Sequence, residues 1–251
     1  MSFVPPKDFP QELFQEFGTH ASELFPAALS DESLNDPQQR RHQFVGSWQA
    51  IRFRYRACSE ANEEFKSLFQ NASGLWREWN ADEEHSYKME RCLYSFFTNG
   101  LSVFESFAFC LYFVGNAIKP QHFTLVNQPR KITLRSATEA FRAAFPTAEI
   151  SNRLAALGND ADFCRLDSIR NILSHRIAGM RSVRSYSVLE LDGAVTGTRE
   201  EAWHLHGTDE LQHDAEMTQR LLNAITSSLT TLVTAAIEVV RSAKKYRTAT
   251  P

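Results

Sequence analysis

The stretch Cys92 to Ile118 sets the strongest limit on what this chain can become. Leu93, Phe96, Phe97, Leu101, Val103, Phe104, Phe107, Phe109 and Leu111 leave almost no side of a helix polar. A helix that is apolar nearly all round must be surrounded, either by lipid or by other helices. Asn99, Ser102, Glu105 and Asn116 lie within the stretch, and a carboxylate in mid-span is costly in hydrocarbon. The expectation is therefore a central helix with no membrane role, which the rest of the chain must cover.

Helical signals recur on both sides of it. Asp36-Pro37 reads as an N-cap followed by proline at the first helical position. Phe44, Val45, Trp48, Ile51, Tyr55, Phe65, Leu68 and Phe69 then carry an apolar stripe to about Asn71. Asn80 to Glu83 has the form of a capping box for the central helix, which stops at Lys119-Pro120. Residues 121–131 read as loop. Ser136 with Glu139 predicts a shorter helix to about Phe145, and Thr147 begins another that ends at Gly158. A last long helix is expected from Thr208, with Leu211, Leu221, Leu222, Ile225, Leu229, Leu232 and Ile237 as its apolar positions. Its end, Arg241 to Arg247, is basic and suits the helix dipole.

Before that helix, Val183 to Leu191 alternates like a strand, Asp192-Gly193 signals a turn, and Trp203 to Leu205 can return. The fold class expected is all-α, a bundle of long antiparallel helices with a small β-hairpin or ordered loop at about 183–206. Residues 1–36 are acidic and interrupted by Pro5, Pro6, Pro10 and Pro26. They read as an N-terminal arm with one short helix, pinned by Phe3, Phe9, Phe14, Phe17 and Phe25, or alternatively as a partner-binding segment. Residues 37–251 read as one helical domain.

A net charge of −3 gives no global attraction to nucleic acid, so any RNA site must be a local basic patch. Arg40, Arg41, Arg52, Arg54 and Arg56 decorate the first long helix. Such a series serves either as a solvated face or as part of an RNA-binding surface. Cys58, Cys92, Cys110 and Cys164 are far apart and form no Cys-x-x-Cys pair. Reduced thiols in a cytoplasmic protein are the expectation, in keeping with an N-terminus that lacks a signal-peptide pattern. His204, His206 and His213 have no carboxylate or cysteine to complete a ligand set, so neither a metal nor another cofactor is expected.

The chemistry concentrates in Asp160 to Gly179. Asn159 and Asp160 are candidate N-caps, Arg176 sits in the last turn, and Gly179 is a stop. At about 100° per residue, Leu166, Ile169, Ile172, Leu173 and Ile177 share one side, while Asp167, Arg170, Asn171, Ser174 and His175 fall within an arc of roughly 140° on the other. A helix docked by its apolar side thus offers a guanidinium, an amide, a hydroxyl and an imidazole together. The pair Arg199 and His204 repeats the spacing, but in a stretch without helical periodicity.

Arg170-Asn171-Ile172-Leu173-Ser174-His175 resembles the Arg-(four to six residues)-His motif of the HEPN superfamily, and the Asn after the Arg strengthens the likeness. The resemblance implies an all-helical, metal-independent endoribonuclease of the kind found in toxin–antitoxin pairs and antiviral defence. It implies a homodimer that brings two motifs to one cleft, RNA as substrate, and an antitoxin as partner. It assigns catalysis to Arg170, Asn171 and His175. Asp167 and Ser174 can orient Arg170, and Glu105 on the central helix can do the same. Arg176, Arg181 and Arg184 can hold flanking phosphates. Some members carry a tyrosine two residues after the histidine as a modification site, and here that position is Ile177.

The residue types suit the chemistry. Histidine's ordinary pKa of about 6.5 makes both of its forms available near neutrality. Arginine's planar fork gives phosphate two parallel hydrogen bonds and stays charged. One imidazole cannot be base and acid in the same step, so a second chain is needed. The alternative expectation is a non-catalytic HEPN-like module that binds a nucleotide or a protein through the same groove.

Overall fold

A computed structural model describes residues 5–25, 37–71, 79–175, 180–189, 195–204 and 212–249. Among them the helices are α1 (Gln11–Ser22), α2 (Pro37–Asn71), α3 (Trp79–Ile118), α4 (Leu134–Ala144), α5 (Glu149–Leu157), α6 (Ala161–His175) and α7 (Ala215–Ala249). The 121–131 stretch, expected as loop, winds into short 3-10 turns at Pro120–His122, Thr124–Asn127 and Pro129–Lys131. Strands β1 (Met180–Leu189) and β2 (Val195–His204) pair antiparallel, with Met180 opposite His204 and Leu189 opposite Val195. A two-residue β3 (Gln212–His213) extends the sheet beside β2. The Asp192-Gly193 turn signal lies outside the described residues.

α3 is central, as its composition demands. Phe96, Phe97, Phe104 and Phe107 are buried along it, and α2, α4, α6 and α7 all pack against it. The α2–α3 pair is antiparallel: Arg40 meets Asn116, Arg54 meets Ser102, Cys58 meets Phe96, and Glu64 meets Arg91. α3 and α7 are each long and apolar enough to cross a membrane by length and composition. In α3, however, 72% of the apolar window is buried inside the molecule, so protein covers most of it. Phe123 locks the C-terminal end of α3. Its ring occupies the space that a β-carbon at Gly115 would need, and Asn116 donates to its carbonyl at 3.0 Å.

The short N-terminal helix is built into this core. Phe14 and Phe17 of α1 are buried, as are Phe9 and Phe25 on either side. Phe14 stacks on Trp48 with ring centroids 4.3 Å apart, and Phe9 meets Tyr55 edge-on at 5.1 Å. Glu16 and Glu23 receive Arg241 and Lys244, which ties α1 to the basic end of α7. Phe3 lies outside the described residues.

Four helix starts differ from the sequence expectation, the first being α3, which opens at Trp79 and so has Asn80 inside the helix and not at its cap. Thr133, not Ser136, caps α4: its hydroxyl accepts from the Ser136 amide at 3.2 Å, while the Ser136 hydroxyl accepts from the Thr133 amide at 2.8 Å. Serine fits either place in a capping box, so the true box lies one box length earlier than the expected one. α5 begins after Ala148 with no side-chain cap, not at Thr147. α7 begins at Ala215, where the Asp214 carboxylate accepts from the Met217 amide at 2.7 Å. The segment just before it is taken by β3, and Thr208 and Leu211 lie outside the described residues.

Cys58, Cys92, Cys110 and Cys164 are free thiols, and Cys164 alone of the four is exposed. Burial pushes the Cys92 thiol up to about 11 and those of Cys58 and Cys110 further still.

Candidate functional site

α6 starts where its cap allows: the Asp160 carboxylate accepts from the Phe163 amide at 2.9 Å. Leu166 and Ile169 then bury against the core, with Ile172 and Leu173 packed beside them. This docking fixes the rotation of the helix, and with it the position of Arg170.

The Arg170 guanidinium donates through Nη2 to Glu105 Oε1 at 2.7 Å and through Nη1 to Asn171 Oδ1 at 3.0 Å. Asn171 Nδ2 donates to Asp167 Oδ1 at 3.2 Å. The second oxygen of Glu105 accepts from the Ser102 hydroxyl, also at 3.2 Å. One chain of hydrogen bonds thus runs Ser102, Glu105, Arg170, Asn171, Asp167, joining α3 to α6. The Arg170 side chain is 22% exposed and that of Glu105 47%, so the pair sits at the molecular edge.

Glu105 and Arg170 are therefore in contact, and two sequence expectations are refined. Asp167 reaches Arg170 through Asn171. The Asn171 amide, which the resemblance assigns to catalysis, is engaged on both sides, its oxygen accepting from Arg170 and its nitrogen donating to Asp167. Ser174 is exposed. His175 is the last residue of α6, and its side chain lies outside the described residues, as does all of Arg176. In the β1–β2 ladder, Arg181 stands opposite Trp203 and Arg184 opposite Glu200. The decoy pair, Arg199 and His204, lies on β2.

The polar residues along α3 have partners of their own. Asn99 donates to the Ser95 carbonyl at 2.8 Å. Arg54 of α2 donates through one nitrogen to the Ser102 carbonyl at 2.9 Å and to the buried Ser106 hydroxyl. Glu105 takes Arg170. Of the arginines along α2, Arg40 and Arg54 thus reach inward to α3, with Arg40 on Asn116 at 2.9 Å. Arg56 pairs with Glu60 one turn along.

A second cationic group escaped the sequence reading. Arg165 of α6 has a buried Nε with no hydrogen-bond partner among the described residues, and Arg220 of α7 donates to Asp162 at 2.9 Å. Burial, then the neighbouring Arg220, hold Arg165 below the usual arginine range. Arg220 lies 58 residues from Asp162, so no local pattern could have joined them.

A cleft of about 1050 Å³ opens between α2, α3, α4, α5 and α6, and Glu105 and Asp167 both line it. Among the described residues, no group of three or more His, Cys, Asp or Glu is placed to hold a metal ion. Comparison of the chain with family models, with curated proteins and with solved structures gives no match.

Proposed function

We propose that this protein is a metal-independent endoribonuclease of HEPN type that works as a homodimer. The observation that carries the proposal is the orientation of Arg170: Glu105 and Asn171 hold its guanidinium on the polar edge of α6, five residues before His175. A guanidinium has five N–H donors, more than these two bonds use, and its fork matches the oxygens of a phosphate. The pairing of long antiparallel helices with α6 docked on α3 supports a HEPN-like bundle.

In the proposed reaction the ribose 2′-hydroxyl attacks the adjacent phosphorus. The imidazole of His175 takes the 2′-hydroxyl proton. A new bond forms from the 2′-oxygen to phosphorus, and the bond to the 5′-oxygen breaks. His175 of a second copy gives a proton to that leaving oxygen, so the products are a 2′,3′-cyclic phosphate and a 5′-hydroxyl. Arg170 balances the charge that builds on the phosphate in between. Arg176, Arg181 and Arg184 hold the flanking phosphates.

The test is a labelled single-stranded RNA incubated with the protein in EDTA. Cleavage to cyclic-phosphate ends is expected, with a loss of about 10²–10⁴-fold in His175→Ala. Cleavage that persists undiminished in that variant removes the mechanism.

The same geometry favours one other reading. Glu105 already neutralises much of Arg170, which suits a module that orients a ligand without turning it over. No turnover, together with nucleotide-dependent thermal stabilisation that Arg170→Ala abolishes, would select it.

A further inference from the structure

We propose that the cleft between α2, α3, α4, α5 and α6 receives an unpaired nucleobase of the RNA, next to the phosphate held by Arg170. This deepens the ribonuclease reading and rests on it for the identity of the polymer. The cleft's own chemistry selects the class of occupant.

Its volume, about 1050 Å³, is at the upper end of what small-molecule sites show. Its charged lining is balanced, with Arg54, Arg135 and Arg142 against Glu105, Glu139 and Asp167. A bare phosphate would meet three carboxylates there, and a polyamine would meet three guanidiniums. A purely apolar ligand would strip water from all six, which is costly without replacement hydrogen bonds. A neutral, planar ring with donors and acceptors on its edge avoids each penalty. Phe109 and Phe163, both half-buried, line the same space and offer aromatic surface for stacking. Acid groups accept from exocyclic amines, and Arg54 has donors beyond the nitrogen held by Ser102 and Ser106.

The cleft also adjoins the motif. Glu105 lines it while accepting from Arg170, and Asp167 lines it while accepting from Asn171. A base seated there places its own backbone within one side chain of the guanidinium. Extruding a base this way is cheapest from a single strand, which makes unpaired RNA the substrate class.

Gly46 provides the test. It lines the cleft from the middle of α2, and a β-carbon there meets no atom within 4 Å. A side chain can therefore start from Gly46 without a clash at its β-carbon, so Gly46→Trp sets an indole on the cleft lining, and the loss of a mid-helix glycine favours folding. Gly46→Ala is the control that makes the same backbone change and leaves the space open. The probe is a fluorescent 2′-O-methyl single-stranded RNA, which lacks the nucleophile and reports binding alone, read by anisotropy. A parallel arm follows saturation transfer from the protein to the free nucleosides.

Gly46→Trp is expected to weaken RNA binding at least tenfold and to abolish saturation transfer to the nucleosides, while Gly46→Ala binds like the parent. Equal binding by all three proteins overturns the base site and leaves the ribonuclease reading standing. Nucleoside binding that only Gly46→Trp abolishes, without any cleavage of ordinary RNA by the parent, supports the base site and overturns the ribonuclease reading. Absence of both RNA and nucleoside binding overturns both.

Discussion

Two arginines reach the same short segment of α3 from different helices, and they are held in opposite ways. At the α2–α3 seam, Arg54 sits on neutral acceptors, the Ser102 carbonyl and the Ser106 hydroxyl. At the α3–α6 seam, Arg170 sits on the Glu105 carboxylate. The first arrangement satisfies the buried Ser106 hydroxyl and, among the described residues, gives the guanidinium no ion pair. The second matches the charge at a half-exposed edge, where an ion pair contributes only about 0–1 kcal/mol. The lesson is that Arg54 serves the fold, whereas the Glu105–Arg170 pair is better explained by orientation than by stability.

The largest way to break the comparison removes the support that both seams share. Phe96 is fully buried and meets Phe97 edge-on at 5.2 Å. Phe96→Ala is expected to cost about 3–5 kcal/mol in urea unfolding, by transfer and cavity together. Next is Arg54→Ala, which leaves the buried Ser106 hydroxyl and the Ser102 carbonyl short of a donor and should cost about 1–3 kcal/mol. An effect below the noise of the same titration would show that Arg54 is not structural.

A pH series sharpens the α2 side. Burial raises the Tyr55 phenol to about 12, against the partial opposing effect of its 2.6 Å bond to Thr226. An acid whose folded pKa is raised binds its proton more tightly when folded. Its contribution is therefore complete below about pH 10, the ordinary phenol value, and is lost as pH rises towards 12. Unfolding midpoints should fall across that window, and Tyr55→Phe should flatten the fall.

The smallest stability effect belongs to the motif seam. Glu105→Ala should change unfolding by less than about 1 kcal/mol while lowering RNA cleavage, because Arg170 loses the partner that aims it. A stability loss as large as that of Arg54→Ala, with cleavage unchanged, would reverse the roles assigned to the two arginines.

Much of the fold was legible because apolar spacing and proline boundaries are local signals. α2 and α3 follow from Pro37, the Phe-rich stretch and Pro120. The polar edge of α6 followed from its period, and Glu105 stood out as a carboxylate within an otherwise apolar stretch. What could not be read is set by distance or by ambiguity. Capping residues at Thr133 and Asp214 compete with equally plausible neighbours within a few positions. The inward reach of Arg54, the Arg220–Asp162 pair and the cleft all depend on helices brought together from distant parts of the chain. Nothing in the α2 sequence distinguishes Arg54, which binds α3, from Arg56, which pairs with Glu60 on its own helix.

The central claim is that one chain holds half of a catalytic centre. Sedimentation equilibrium, run at the protein concentration and in the EDTA buffer of the RNA assay, tests it most directly. The chain mass is 28.6 kDa, and the account predicts a species of twice that mass wherever cleavage is seen. A protein that cleaves RNA while sedimenting as a single 28.6 kDa chain would contradict it.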